Sequence, residues 1–201
     1  MTILRTTLAA GFLAIAASPV FAETPKPDIN ALITPSVMAE MRGWMETEIV
    51  RISVKAQNER LKKLPQAEID ALDAQWVAER ESDDKPLIAA TLSNPLSVYL
   101  ARLQGRSLGM YAEIFVMDQN GLNVGQSSIT SDFWQGDEGK FQKTYDVGPD
   151  AVFIDEAEWD DDLKYWRGQV NFTLTEDGEP IGAVTMEVNL TELQRRTAAG
   201  V

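Results

Sequence analysis

The apolar positions of this chain change period about halfway along. In the first half, Val37, Met41, Trp44, Met45, Ile49, Ile52 and Ala56 recur at steps of three and four, which sets one stripe on a helical face. Thr34 before Pro35 reads as an N-cap followed by proline at the first helical position. The pattern therefore predicts one long helix from about residue 35 to Lys63, its Met and Trp stripe in the core and Arg51, Lys55, Asn58 and Lys62 outward. Leu64-Pro65 breaks it. Ile69, Leu72, Trp76 and Val77 then share a face of a second helix, and Glu79 to Lys85 (ERESDDK) reads as a charged linker. LIAATL follows Pro86, and Asn94-Pro95 is another cap-and-proline start, leading SVYLARL into a short helix.

From Tyr111 the period falls toward two. Tyr111 to Asp118 favours a strand, Gln119-Asn120-Gly121 is a turn, and Leu122 to Gln126 returns as a second strand. Ala151 to Trp159 reads as a third strand. Lys164 to Thr175 alternates as a fourth, with Trp166, Val170, Phe172 and Leu174 on one face and Tyr165, Arg167, Gln169, Asn171 and Thr173 on the other. Glu176-Asp177-Gly178 turns it into a fifth, Pro180 to Asn189. The expected fold is α+β, a long N-terminal helix packed on a five-stranded antiparallel sheet. One connection, Ser127 to Asp150, runs to about 24 residues against a usual limit of about 12–15. Its Phe133, Trp134, Phe141 and Tyr145 argue for an ordered segment, since those rings need something to bury against.

The N-terminus carries an address. Arg5 precedes an apolar run, Leu8 to Ala17, too short to span a bilayer comfortably, and Val20-Phe21-Ala22 fits a signal-peptidase site before Glu23. Residues 1–22 are read as a signal peptide, 23–33 as a flexible lead-in, and 34–201 as a single domain. The expected location is the periplasm, with no membrane insertion after cleavage. The chain has 31 acidic and 18 basic residues, and losing Arg5 with the leader makes it one unit more negative. That charge disfavours nucleic acid and anionic lipid surfaces, and it also suits plain solubility. There is no Cys and no His, which removes disulfides, thiolate and imidazole nucleophiles, and the commonest metal ligands. An enzyme, a cofactor and a metal are accordingly not expected. Asp118-x-Asn120-Gly121-x-Asn123 has calcium-friendly oxygens but lacks the spacing of a calcium loop, and Asp160-Asp161-Asp162 reads as a solvated turn.

The runs EIFVMDQNGLNVGQS, TSDFWQGDEGKF, VFIDEAEWDDDLKYWRGQVNFTL and IGAVTMEVNL resemble the extracellular PAS-like sensor domains of the Cache (or PDC) family. The resemblance covers about residues 34 to 193. It implies a long helix behind a five-stranded PAS-like sheet, with a small ligand on the other side under the segment joining strands two and three. Most such domains sit between membrane helices and feed an output module. Here the sequence reaches TAAGV soon after Leu193, so a signal would leave through a membrane sensor partner. The implied function is a periplasmic small-molecule sensor; the alternative is a non-catalytic structural or interaction module with no ligand pocket, which could form a homodimer through the long helix.

Seven residues are candidates for the site. Trp134 and Tyr145 would form an aromatic wall, or else glue the segment to the sheet. Asp132 and Asp137 flank Trp134 and would pair an amine-bearing ligand, or else cap a short helix and face solvent. Tyr165 and Arg167 belong to the polar face of the fourth strand, which either lines the pocket, with Arg167 clamping a carboxylate, or is the open side of the sheet. Asp155 shares a face with Phe153 and Ala157 and is expected to be half-buried, needing a ligand amine or Arg167 as partner. The resemblance suggests the same role for Asp155.

Overall fold

In the computed structural model, which describes residues 25–200, Asp28 starts the first helix, α1 (Ile29–Leu32), by accepting the backbone N–H groups of Asn30 and Ala31 at 3.0 and 3.3 Å. Ile29 and Ile33 are buried. The expected loose lead-in is therefore helical and packed from Asp28 onward, because two isoleucines four apart reach the core together. The expected signal peptide lies outside the described residues.

The long helix is two helices, α2 (Pro35–Met45) and α3 (Glu48–Leu61). Thr34 caps α2 through Val37 N–H at 3.3 Å as its position predicts. The break follows from Thr47, whose backbone is extended and whose hydroxyl donates to the Trp44 carbonyl at 3.1 Å. The Tyr99 hydroxyl donates to the same carbonyl at 2.8 Å. The break also shifts the phase of the apolar stripe. Beyond it Val50, Val54 and Gln57 face inward, whereas Ile52 is 51% exposed and Ala56 is exposed. Asn58, expected outward, instead donates to the Ile181 carbonyl at 2.7 Å and accepts Gln119 N–H at 3.0 Å.

Three further helices follow, α4 (Gln66–Arg80), α5 (Pro86–Ser93) and α6 (Pro95–Arg106). Asn94 caps α6 through Ser97 N–H at 2.8 Å. Glu79, read as linker, is a buried residue of α4 whose carboxylate accepts Ile88 N–H at 3.0 Å and so holds the start of α5.

The sheet contains β1 (Tyr111–Met117), β2 (Asn123–Gln126), β3 (Val152–Ile154), β4 (Glu158–Asp160), β5 (Tyr165–Glu176) and β6 (Glu179–Asn189). Its order is β2-β1-β6-β5-β3, with β4 also on β5, and every pairing is antiparallel. Among the described residues there are six strands rather than five, because the expected third is interrupted. Asp155 N–H still reaches the Gln169 carbonyl, at 2.9 Å, but its carboxylate takes Glu156 N–H at 2.8 Å and Ala157 turns inward. The short α7 (Gly139–Gln142) lies in the long connection, and a further helix beyond the expected fold, α8 (Leu190–Ala199), is capped by Asn189 and buries Leu190 and Leu193.

Ile114, Val116, Val170, Phe172, Val184 and Met186 form one sheet face, under Met41, Met45, Val50, Val54 and Leu100 of the helices. A second cluster joins Ile69, Trp76 and Ile88 to Leu122 and Phe133, and it fixes where the long connection begins. Among the described residues no helix is long and apolar enough to cross a membrane.

Gly182 sits where β6 passes close to β1 and α3: a Cβ there would collide with the Met117 carbonyl oxygen and meet Val54 at 3.2 Å. Gly182→Val is expected to destabilise the domain by about 3 kcal/mol, read as a lower denaturant midpoint with an unchanged slope. A wild-type midpoint would contradict this packing.

Candidate ligand-binding face

The second face of the sheet carries the other half of each strand's alternation. Glu113, Phe115 and Met117 come from β1, Gln126 from β2, Ala183, Thr185 and Glu187 from β6, and Arg167, Gln169, Asn171 and Thr173 from β5. One row crosses the whole sheet in register: Gln126 opposite Phe115, Phe115 opposite Thr185, Thr185 opposite Asn171, Asn171 opposite Phe153. Glu113, Glu187 and Gln169 make the adjoining row.

This polar face is not the open side of the sheet. Gln126, Asn171 and Thr185 have no exposed surface, and Thr173 has 2%. Gln126 Nε2, Asn171 Oδ1, Thr173 Oγ1 and Thr185 Oγ1 are buried atoms that find no hydrogen-bond partner among the described residues. Each such group costs about 1–3 kcal/mol of desolvation, so a cluster of them is a standing demand for partners. Some orphan capacity is already used on the other end of the same side chains. Gln126 Oε1 accepts Thr130 at 3.3 Å, and Asn171 Nδ2 donates to the Phe153 carbonyl at 3.0 Å.

The long connection covers this face. Phe141 stacks on Tyr145 at 4.9 Å, and the pair packs on Phe115, Met117 and Ala183, filling one end. Lys140 stands 5.3 Å above the Phe115 ring, and Lys143 lies 4.0 Å above Phe153. At the other end a cleft of about 230 Å³ opens between Lys140, Asp155, Arg167, Gln169 and Glu187.

The electrostatics of the face are mixed. Burial pushes the Glu113 carboxyl above its ordinary range, and neighbouring Glu187 adds to this. The Ser128 hydroxyl, donating at 2.8 Å, opposes it, as do Lys140 and Arg167. Arg167 is held by Glu187 at 3.3 Å, with Glu158 and Asp160 at 3.8 and 3.9 Å. Burial raises the Tyr145 and Tyr165 hydroxyls, reinforced by Asp118 and Glu187 respectively, which keeps both phenols as donors. The face thus offers carboxylate and amide acceptors beside ammonium, amide and hydroxyl donors. Among the described residues no acidic group set is placed to hold a metal.

Of the candidate residues, Arg167, Tyr165 and Tyr145 lie on or over this face, and Asp155 lines its cleft. Asp155 is exposed rather than half-buried, because the chain turns at its carboxylate. Asp132, Trp134 and Asp137 are not brought to it. The Trp134 indole donates to the Asn120 carbonyl at 2.9 Å, and its N–H and that of Phe133 go to Asp73 at 3.0 and 2.8 Å. Asp132 takes the Ser131 hydroxyl, and Asp137 is exposed. Asp118 is the lock of the hairpin: fully buried, it accepts Asn120 and Leu122 N–H and Gln57 Nε2 at 2.7, 3.1 and 3.0 Å.

Glu113, Gln126, Lys140, Thr185 and Glu187 were missed. Apart from Lys140, which lies on α7, their signal was present as polar residues at alternate positions of strands otherwise apolar, as in AVTMEV. It was unreadable without knowing that the second face is covered.

No family model matches this chain, and no curated protein does. Solved structures similar to it include sensory domains. The ligand-binding domain of the Campylobacter jejuni chemoreceptor Tlp3 in complex with 4-methylisoleucine is 15% identical, with a TM-score of 0.38 over 76% of this chain and 65% of that one. The ligand-binding domain of the Pseudomonas aeruginosa PAO1 amino acid chemoreceptor PctC in complex with GABA is 12% identical, with a TM-score of 0.37 over 74% and 61%. The sensor domain of the V. cholerae histidine kinase DctB is 9% identical, with a TM-score of 0.32 over 80% and 58%. The chain therefore spans less than two thirds of each of these domains, and at such scores the likeness assigns neither ligand nor activity.

The half-buried Glu113 gives a pH test. Its proton is held more tightly in the native state than in the unfolded chain, where the carboxyl titrates near 4.5. Stability from this group is therefore lost as pH rises from there through the folded value. Glu113→Gln keeps an acceptor for Ser128 and removes the buried charge, so the variant should unfold at higher denaturant than the parent at pH 7. The gap should close as pH falls below about 4.5. A variant less stable than the parent at pH 7 would show that Glu113 is charged and satisfied in the fold.

Proposed function

We propose that this protein is a Cache-type sensor domain that binds a small polar molecule between the polar sheet face and the connection from 127 to 150. The observation that carries this reading is the patch of buried, unpartnered polar atoms on Gln126, Asn171, Thr173 and Thr185. A structural sheet face would be apolar or fully paired. A ligand with an amine and a carbonyl or carboxyl suits the groups around them: Glu113 and Glu187 for the amine, Gln126 Nε2 and Lys140 for the oxygen end. Tyr145, Tyr165, Arg167 and Asp155 belong to the rim of this site. Trp134 and the Asp132 backbone carbonyl serve better as the anchor that fixes the cover, and the exposed Asp137 takes no part in the site. The role is binding, not catalysis, in an exported protein that passes its state to a membrane sensor partner. The sequence resemblance to Cache domains and the helices-behind, cover-in-front arrangement both support it.

A second reading is a ligand-free interaction module, favoured by the way Phe141 and Tyr145 already fill the Met117 end of the face. A thermal-shift panel of amino acids, polyamines, organic acids and purines separates the two. The binding reading expects a concentration-dependent rise in melting temperature with one class. Thr185→Val should lose that rise without loss of stability, since it removes an unpaired buried hydroxyl. Trp134→Ala should lower the melting temperature by several degrees yet keep the rise. A panel without any shift, or a shift untouched by Thr185→Val, would leave the interaction module standing.

A further inference from the structure

A cavity larger than the cleft of the proposed ligand face lies on the helix side of the sheet. It is a groove of about 720 Å³ between α2, α6 and α8, floored by Met110, Tyr111 and Val188. That volume falls within the roughly 300–1,000 Å³ of small-molecule sites. The walls are built, not left over. Tyr99 ties α6 to α2 through the Trp44 carbonyl, and Trp44 meets Tyr111 edge-to-face at 5.4 Å. Arg196 of α8 donates to the Ser107 and Leu108 carbonyls at 2.7 and 3.1 Å, closing the far end.

Polarity is graded along the groove. Pro95, Val98, Tyr99, Arg102, Leu103 and Arg106 line it from one helix, at the three- and four-residue steps that keep them on one face. The N-terminal half of that face is apolar, with Val98 39% exposed. Its C-terminal half carries Arg102 and Arg106, one turn apart. Both are exposed, and among the described residues neither has an ion pair or hydrogen bond. The dipole of α6 accounts for a cation in its last turn, which is Arg106. It does not account for Arg102, nor for two unpaired guanidiniums in a chain with a large excess of carboxylates. The Tyr111 hydroxyl adds a donor at the floor, kept protonated by burial and by Glu40 nearby.

We propose that this groove is a second binding site, for a soluble amphipathic monoanion. Its apolar tail lies along Pro95, Val98 and Tyr99, and its single carboxylate or phosphate head meets Arg102 and Arg106. Glu40, on the opposite wall, disfavours a second anionic group. The acidity of the whole chain disfavours an anionic membrane surface as the source of the head group.

Calorimetric titration of the signal-cleaved chain with octanoate and with octanol tests this. Saturable one-to-one binding of octanoate is expected, with octanol and the eight-carbon dicarboxylate each weaker by at least about tenfold. The double variant Arg102→Gln, Arg106→Gln should weaken octanoate by at least about tenfold while melting as the wild type does, because both side chains are exposed. Val98→Glu should do the same from the tail end, and Thr185→Val should change nothing. Equal affinity for octanol, no saturable heat, or an unaffected double variant would overturn the proposal. So would binding that requires anionic vesicles, or a dimer in sedimentation that the double variant abolishes, since a second copy would then be the occupant.

Discussion

β5 and β6 pair along nearly their whole length, from Arg167 opposite Asn189 to Glu176 opposite Glu179, and this ladder is the constraint on which the rest of the domain depends. Side chains alternate across it, so every apolar residue sent to the helices sends its neighbour to the other face. Val170, Phe172, Val184 and Met186 satisfy the helix layer. The same register then forces Asn171, Thr173, Thr185 and Glu187 together on the far side. A slip of one residue would bury that polar set under the helices, and the cost of doing so holds the register.

What makes the far side unusual is its cover. The connection from 127 to 150 is pinned at its start by α4: Asp73 takes two of its N–H groups, the Trp76 indole donates to the Thr130 carbonyl at 3.0 Å, and Trp76 stacks on Phe133 at 5.2 Å. Its second half is held by the Phe141–Tyr145 stack on the sheet. Between these anchors the polar strand residues are enclosed in low-dielectric surroundings, where an unpaired donor or acceptor is expensive and a matching ligand is correspondingly well held. The helices α4 and α5, which contribute little to the main core, thus decide how firmly the polar face is closed.

β1 links the two sides. Tyr111 goes to the helix-side groove and Glu113 to the polar face, and the pairing with β6 shifts between them. Such a register shift re-aims neighbouring side chains, and here it lets one short strand serve both surfaces.

Much of the fold was legible in the sequence because local chemistry decides it. The caps at Thr34 and Asn94, the Asn-Gly turn, the change of period at Tyr111 and the two-faced alternation of β5 each follow from a few adjacent residues. So does the case against thiolate and imidazole chemistry, which needs only the absence of Cys and His. The break at Thr47 was not legible, since it is held by Tyr99 from another helix. The split of the third strand was not either, because it depends on Ala157 turning into the core. The candidate site divided the same way. Arg167 and Tyr165 could be placed on a polar face from alternation alone, but whether that face was open or covered depended on where residues 127–150 fold back. Trp134 could be seen to need burial, yet only the packing of α4 decided that it would pack away from the polar face. Periodicity specifies which residues share a face; what lies across from that face is set by contacts between residues far apart in the chain, and those exist only in the tertiary structure.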